Sequence, residues 1–99
     1  MKGIDKRFLD LGIRRYNLLL FNKDNALIII EQCKIMRLRI FGIDAFHLDS
    51  KWIQPFSEFS SDYSNIKSMK TTWEMAKEHI MKVSAYDNDL VYEIDFDTY

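Results

Sequence analysis

Cysteine, proline and glycine are all scarce in this chain, and each scarcity removes a class of protein. A single cysteine, Cys33, among 99 residues permits no internal disulfide, so a disulfide-stapled scaffold is excluded and a reducing compartment suits the chain. One proline and three glycines leave little that reads as flexible linker. Gly3, Gly12 and Gly42 are too scattered for the phosphate-cradling patterns GxGxxG or GxxxxGK(S/T). Long apolar runs are also missing. The longest, Ala26 to Ile30, falls far short of the roughly 20 residues that span a bilayer. The opening MKGIDKRFLD is charged throughout and has no apolar core of signal-peptide length. The expectation is a cytoplasmic protein without a membrane segment.

What is present is an ordinary globular composition, 47% hydrophobic and 29% charged, on a chain long enough for one core and one domain, residues 1–99. The formal net charge of −1 hides an asymmetry: residues 1–53 hold ten Lys and Arg against six Asp and Glu, whereas residues 54–99 hold four against nine. The last thirteen residues, DNDLVYEIDFDTY, carry five acids and no base. Such a segment repels nucleic acid and suits a basic partner surface. It suits equally an edge strand given charges against aggregation.

Periodicity places the elements. Residues 1–13 read as a short N-terminal helix or a draped arm. YNLLLF, Tyr16 to Phe21, fits a short buried strand or the tail of a helix. Asn22 is a good N-cap, Asp24 suits the first turn, and Ala26, Ile29, Ile30, Cys33 and Met36 recur at helical spacing, with Lys34 and Arg37 at the favourable end. This predicts a helix from about 23 to 37. Leu38 to Leu48 predicts an internal strand, with Leu38, Ile40, Asp44, Phe46 and Leu48 on one face and Phe41, Ile43, Ala45 and His47 on the other. DSKW has hairpin-connection character, and FSEFSSDYS after Pro55 predicts a weaker, more polar strand. Thr71 to Glu74 forms a capping box, followed by Trp73, Ala76, Ile80 and Val83 on one helix face. Leu90 to Phe96 alternates as a strand, with Leu90, Tyr92, Ile94 and Phe96 inward. The predicted fold class is α+β: a two-layer sandwich of β-α-β-β-α-β order, two helices on one face of an antiparallel sheet, split-βαβ-like.

No catalytic constellation stands out along the chain. His47 and Asp49 sit two apart, His79 is alone on its helix, and no CxxC, HxxxH or HExxH spacing exists, so neither a metal nor another cofactor is expected. Cys33 falls on a buried helix face, where a thiol behaves as a small hydrophobe. His47 and Asp44 lie three apart on a strand, so their side chains leave on opposite faces and make no base–acid pair. Arg14, Arg15, Arg37 and Arg39 lie near Tyr16 and Phe41, a weak single-stranded nucleic-acid pattern. An isoelectric point near 6.1 and the acidic half argue against it. Those arginines are expected instead to pair with the acids of the same chain, and no nucleic-acid partner is expected. An enzyme is therefore not expected.

Asp44 is the residue that needs explaining, since a carboxylate inside an apolar strand is costly unless paired or turned outward. Arg14 or Arg15 is one partner within reach of the sequence pattern. The other arrangement is a sheet face shared with Glu58 and Asp62, with Phe46, Trp52, Phe56 and Phe59 nearby. Carboxylates beside aromatics are the composition of a protein-binding surface.

The residues LGIRRYNLL, ALIIIEQCK and IFGIDAFHL, with Gly12, Ile13, Arg14, Ala26, Ile30, Glu31, Gly42, Asp44 and Phe46 as the matching positions, resemble a family of small immunity proteins of bacterial polymorphic toxin systems. Pro55 before an aromatic, Asp-containing stretch, Trp73 with its helix and the aromatic last strand extend the likeness over about residues 11–96. The resemblance implies an inhibitor that binds a cognate toxin and performs no reaction of its own. It implies that Asp44, Glu58 and Asp62 face a basic toxin site, with Phe46, Trp52 and Phe56 as apolar anchors. The alternative from another class is a small self-assembling or regulatory domain, a homodimer through its edge strand.

Overall fold

In a computed structural model of the chain, residues 4–48 and 53–97 are described. A one-turn helix α1 (Lys6–Leu9), capped by Asp5, leads into a hairpin of β1 (Ile13–Arg15) and β2 (Leu18–Leu20). Helix α2 (Lys23–Met36) and strand β3 (Ile40–Leu48) follow. Then come the short strand β4 (Ile53–Pro55), a 3-10 turn at Ser57–Phe59 and the two-residue strand β5 (Ser61–Asp62). Helix α3 (Met69–Tyr86) and strand β6 (Leu90–Phe96) complete the order. The fold is α+β.

Strand β3 is internal, as its two apolar faces predict. Antiparallel β4 and β5 lie along one side of it and antiparallel β6 along the other. Phe21, next to β2, bridges antiparallel to Tyr92 of β6 through a reciprocal pair of backbone hydrogen bonds of 2.8 and 2.7 Å. The β2 segment therefore runs parallel to β3 with β6 inserted between them, which is the split-βαβ arrangement. Among the described residues β6 forms a ladder with β3 alone and meets the β2 side only at this bridge, so the bridge interrupts the edge at Tyr92 and does not overturn the edge-strand reading of the acidic last segment.

The helices cover one face of the sheet. Ala26, Ile29, Ile30 and Cys33 of α2 and Trp73, Ala76, Ile80 and Val83 of α3 share one buried cluster with Ile40, Ile43, Ala45, Leu90, Tyr92 and Ile94 of the sheet. Apolar burial of this kind is the dominant stabilising contribution. Two polar contacts lock the layers together. The Trp73 indole N–H donates to the Leu38 carbonyl at 2.7 Å, and the Tyr92 and Ser84 hydroxyls meet at 2.6 Å inside the core.

Helix α2 begins as its sequence predicts, with the Asn22 side chain accepting from the Asn25 N–H. It stops at Met36 because Arg37 turns left-handed at φ 56°, and the Leu38 N–H returns to the Cys33 carbonyl at 2.8 Å. Helix α3 starts a turn earlier than the capping-box pattern predicts. Ser68 is the cap, accepting from the Thr71 N–H at 3.2 Å. Thr72 is drawn into the core instead, where its hydroxyl donates to the Met69 carbonyl and accepts from the Ile40 N–H. The FSEFSSDYS stretch is not one strand but the 3-10 turn followed by β5, because its polar residues alternate too poorly to hold a ladder. The DSKW connection lies outside the described residues.

Candidate functional site

A single irregularity decides where Asp44 points. Ile40 pairs with Phe96 and Gly42 with Asp95, so two residues of β3 advance against one of β6. This is a β-bulge at Phe41. Ile40 faces the helices before it; after it, Ile43, Ala45 and His47 do, paired with Ile94, Tyr92 and Leu90. Strict alternation puts Asp44 on the face of Leu38 and Ile40. The bulge corrects this and turns Asp44, Phe46 and Leu48 to the sheet face opposite the helices. The Ile40 N–H beside the bulge is satisfied by the Thr72 hydroxyl at 3.3 Å, so the irregularity leaves no orphaned donor there.

On that open face Asp44 sits directly across from Glu93, and Asp95 lies two pairs further along, opposite Gly42. Like charges directly opposed on adjacent strands are destabilising. Glu93 registers it: partial burial, then the charges of Asp44 and Asp95, push its carboxyl above the ordinary value of 4.5. Among the described residues the ion pairs are Lys6–Asp10 and Arg7–Asp5, both local and exposed, and no cation neutralises the trio. Phe46, half-buried, pairs with Val91 on the same face. Asp62 stands opposite Gly42 on the β5 side. Its carboxylate accepts from the Ser64 N–H at 2.9 Å, and this bond holds its pKa below the usual range.

The other sequence-predicted site residues lie elsewhere. Phe56 packs against the main core and meets His47 edge-on, with ring centroids 6.2 Å apart. Glu58 sits on the 3-10 turn and lines a cavity of about 350 Å3 with Phe59, His79, Lys82, Val83 and Tyr86. Phe56 and Glu58 therefore do not share a face with Asp44, Phe46 and Asp62, because the turn at 57–59 breaks the strand that was to carry them together. Trp52 lies outside the described residues. Glu93 and Asp95, absent from the expected site, join it through strand pairing. Their outward alternation was the available signal.

The arginines do not pair with the acidic half among the described residues, contrary to expectation. Arg39 donates to the carbonyls of Ile66 and, at 2.6 Å, Lys67, tying the segment before α3 to the start of β3. Arg15 donates to the Arg14 carbonyl. Both Arg14 and Arg15 are exposed on the hairpin, and neither reaches Asp44. Burial pushes the Cys33 thiol up to about 12, so it stays protonated and unreactive. Among the described residues no three His, Cys, Asp or Glu side chains come together to hold a metal ion, and no helix is long and apolar enough to cross a membrane.

A second constellation lies on the helix-covered side. His79 of α3 reaches the Phe59 carbonyl with Nε2 at 2.6 Å and the Ser61 hydroxyl with Nδ1 at 3.1 Å. Ser61 and His79 are 18 positions apart, so no sequence spacing announces the contact. Beside them lies a cavity of about 200 Å3 lined by Ser61, Tyr63, Met75, Glu78, His79 and Lys82.

The repulsion on the open face sets a pH dependence. A carboxyl whose folded pKa is raised contributes most to stability while protonated, below its ordinary value. That contribution is lost as pH rises through the folded pKa. Glu93→Gln is therefore expected to raise the thermal midpoint near pH 7, with the advantage vanishing below about pH 4, near the ordinary carboxyl value. Thermal melts of both proteins across that range check this. No family model and no curated protein matches the chain.

Proposed function

We propose that this chain is an immunity-type binding protein that neutralises a cognate bacterial toxin by direct contact, a neutralisation that involves no reaction on the toxin, and that it does so in the cytoplasm through the open face of its sheet. The observation that carries this reading is the trio Asp44, Glu93 and Asp95, set across two adjacent strands with no cation among the described residues. Self-repulsion of this kind weakens the free protein, and a cationic partner relieves it. A stability deficit removed by binding is a plain physical use for such a cluster.

Carboxylates on this face speed encounter with a basic surface, and Phe46 beside them supplies apolar contact area. Asp62 adds charge at the β5 side. The resemblance carried by Gly12 to Phe46 supports the same class of partner. The product of the adjacent gene is the first candidate. Asp44→Lys is expected to weaken binding to it by about 10- to 100-fold, the scale of 1.4–3 kcal/mol at an interface charge, while leaving the thermal midpoint unchanged or higher. Calorimetric titration beside thermal melts checks both halves. If Asp44→Lys unfolds the domain, Asp44 is a structural residue and the binding face lies elsewhere.

A further inference from the structure

The Ser61–His79 contact has an assignable proton order. A carbonyl oxygen can only accept, so the Nε2 that meets the Phe59 carbonyl carries a hydrogen. In the neutral ring Nδ1 is then the acceptor, and the Ser61 hydroxyl donates to it. A hydroxyl thus rests on a base, and the base is held in one tautomer and orientation by a third group. These are the relations that activate a serine nucleophile. Both side chains are half-buried and both line the 200 Å3 cavity. His79 and Lys82 also line the neighbouring 350 Å3 cavity, whose walls include Phe59, Val83 and Tyr86. The two cavities share His79 and Lys82 as lining residues, with the serine–histidine pair in one and the apolar Phe59, Val83 and Tyr86 in the other.

We propose that Ser61 is a nucleophile activated by His79, and that these two cavities accept small carboxylic esters carrying an apolar or aryl group. The Ser61 Oγ attacks the ester carbonyl carbon, and its proton passes to His79 Nδ1. The bond to the leaving oxygen breaks, that oxygen takes the proton from Nδ1, and an acyl-Ser61 remains. Water then attacks the acyl carbon and gives its proton to Nδ1. Ser61 Oγ leaves and takes that proton back, and the carboxylic acid departs. Lys82 supplies positive charge on the cavity wall for the oxyanion formed in both steps. This site is on the helix-covered side of the sheet and stands independently of the binding face.

Two readouts test it on the full chain. A fluorophosphonate probe is expected to leave one adduct, mapped by peptide mass to Ser61. Hydrolysis of p-nitrophenyl acetate is expected to fall about 100-fold or more in Ser61→Ala and in His79→Gln, with circular dichroism confirming that Ser61→Ala keeps its fold. An adduct elsewhere, or none, overturns the proposal, and so does undiminished hydrolysis by folded Ser61→Ala. The probe experiment needs no variant, so misfolding of either substitution leaves a decisive answer.

Discussion

Trp73→Ala is expected to destabilise the domain by about 3–5 kcal/mol, the range for emptying a large aromatic site in a packed core. Trp73 is only 7% exposed and lies in the cluster that joins α2, α3 and the sheet. Its loss leaves a void between α3 and β3, and it also strands the Leu38 carbonyl, which accepts the indole N–H at 2.7 Å. A domain of this size has total stability on the order of 5–15 kcal/mol, so the substitution removes roughly a fifth of it or more. The thermal midpoint should fall by at least 10 °C, at roughly 4–8 °C per kcal/mol. Trp73→Phe separates the two contributions: it keeps much of the packing and loses the hydrogen bond, with an expected cost of about 1–3 kcal/mol. Urea denaturation of the three proteins gives these values directly. Equal midpoints for Trp73→Ala and the parent would mean that the α3–β3 contact contributes little.

Gly42→Ala is expected to cost about 1–3 kcal/mol, the scale of forcing extra volume into a packed site. A Cβ at Gly42 would stand 2.8 Å from the Ser61 carbonyl oxygen. That obstacle is backbone, with no side chain to swing aside, so β5 must move. The damage should be local as well as global. The pairs Gly42–Asp62 and Ile43–Ser61 and the bond from the Tyr63 N–H to the Phe41 carbonyl at 2.7 Å should loosen first. Hydrogen exchange at Tyr63 should therefore accelerate more than exchange at Tyr92, which pairs on the far side of β3. Unchanged exchange at Tyr63 would show that β5 accommodates the methyl group without parting from β3.

Both substitutions bear on how far the sequence discloses the molecule. The α+β class, α2 with its Asn22 cap, and the span of β6 were legible because long periodic segments and a good cap speak locally, whereas the β1–β2 hairpin was not. The bridge from Phe21 to Tyr92 on the outer side of β6 was not either, since nothing in either segment's local pattern announces it. The grouping of Asp44 with Leu38 and Ile40 was misread for a physical reason. Alternation assumes two residues per repeat, and the bulge at Phe41 inserts one. Its supports, the Thr72 hydroxyl and the missing Cβ at Gly42, come from distant or absent groups that no local pattern reveals. The same holds for Ser61 and His79, brought together only when α3 packs beside β5. Glu58 was placed with Asp44 on the assumption of one continuous strand, and the 3-10 turn at Ser57–Phe59 removed that assumption.

The proposed role makes the open face a compromise. Asp44, Glu93 and Asp95 repel one another in the free chain, and Glu93 is left reluctant to ionise. Neutralising them should stabilise the domain and weaken its binding. A structural role for the same acids predicts the reverse on stability.

The most direct measurement is a protection assay with the adjacent gene. Cells expressing that gene alone should stop growing. Co-expression of this chain should restore growth and yield a stoichiometric complex on affinity capture. The charge-reversed double variant Asp44→Lys, Glu93→Lys, folded and expressed at the parent level, should fail to protect. A harmless neighbour that forms no complex, or full protection by the double variant, would contradict the assignment of the open face to toxin binding.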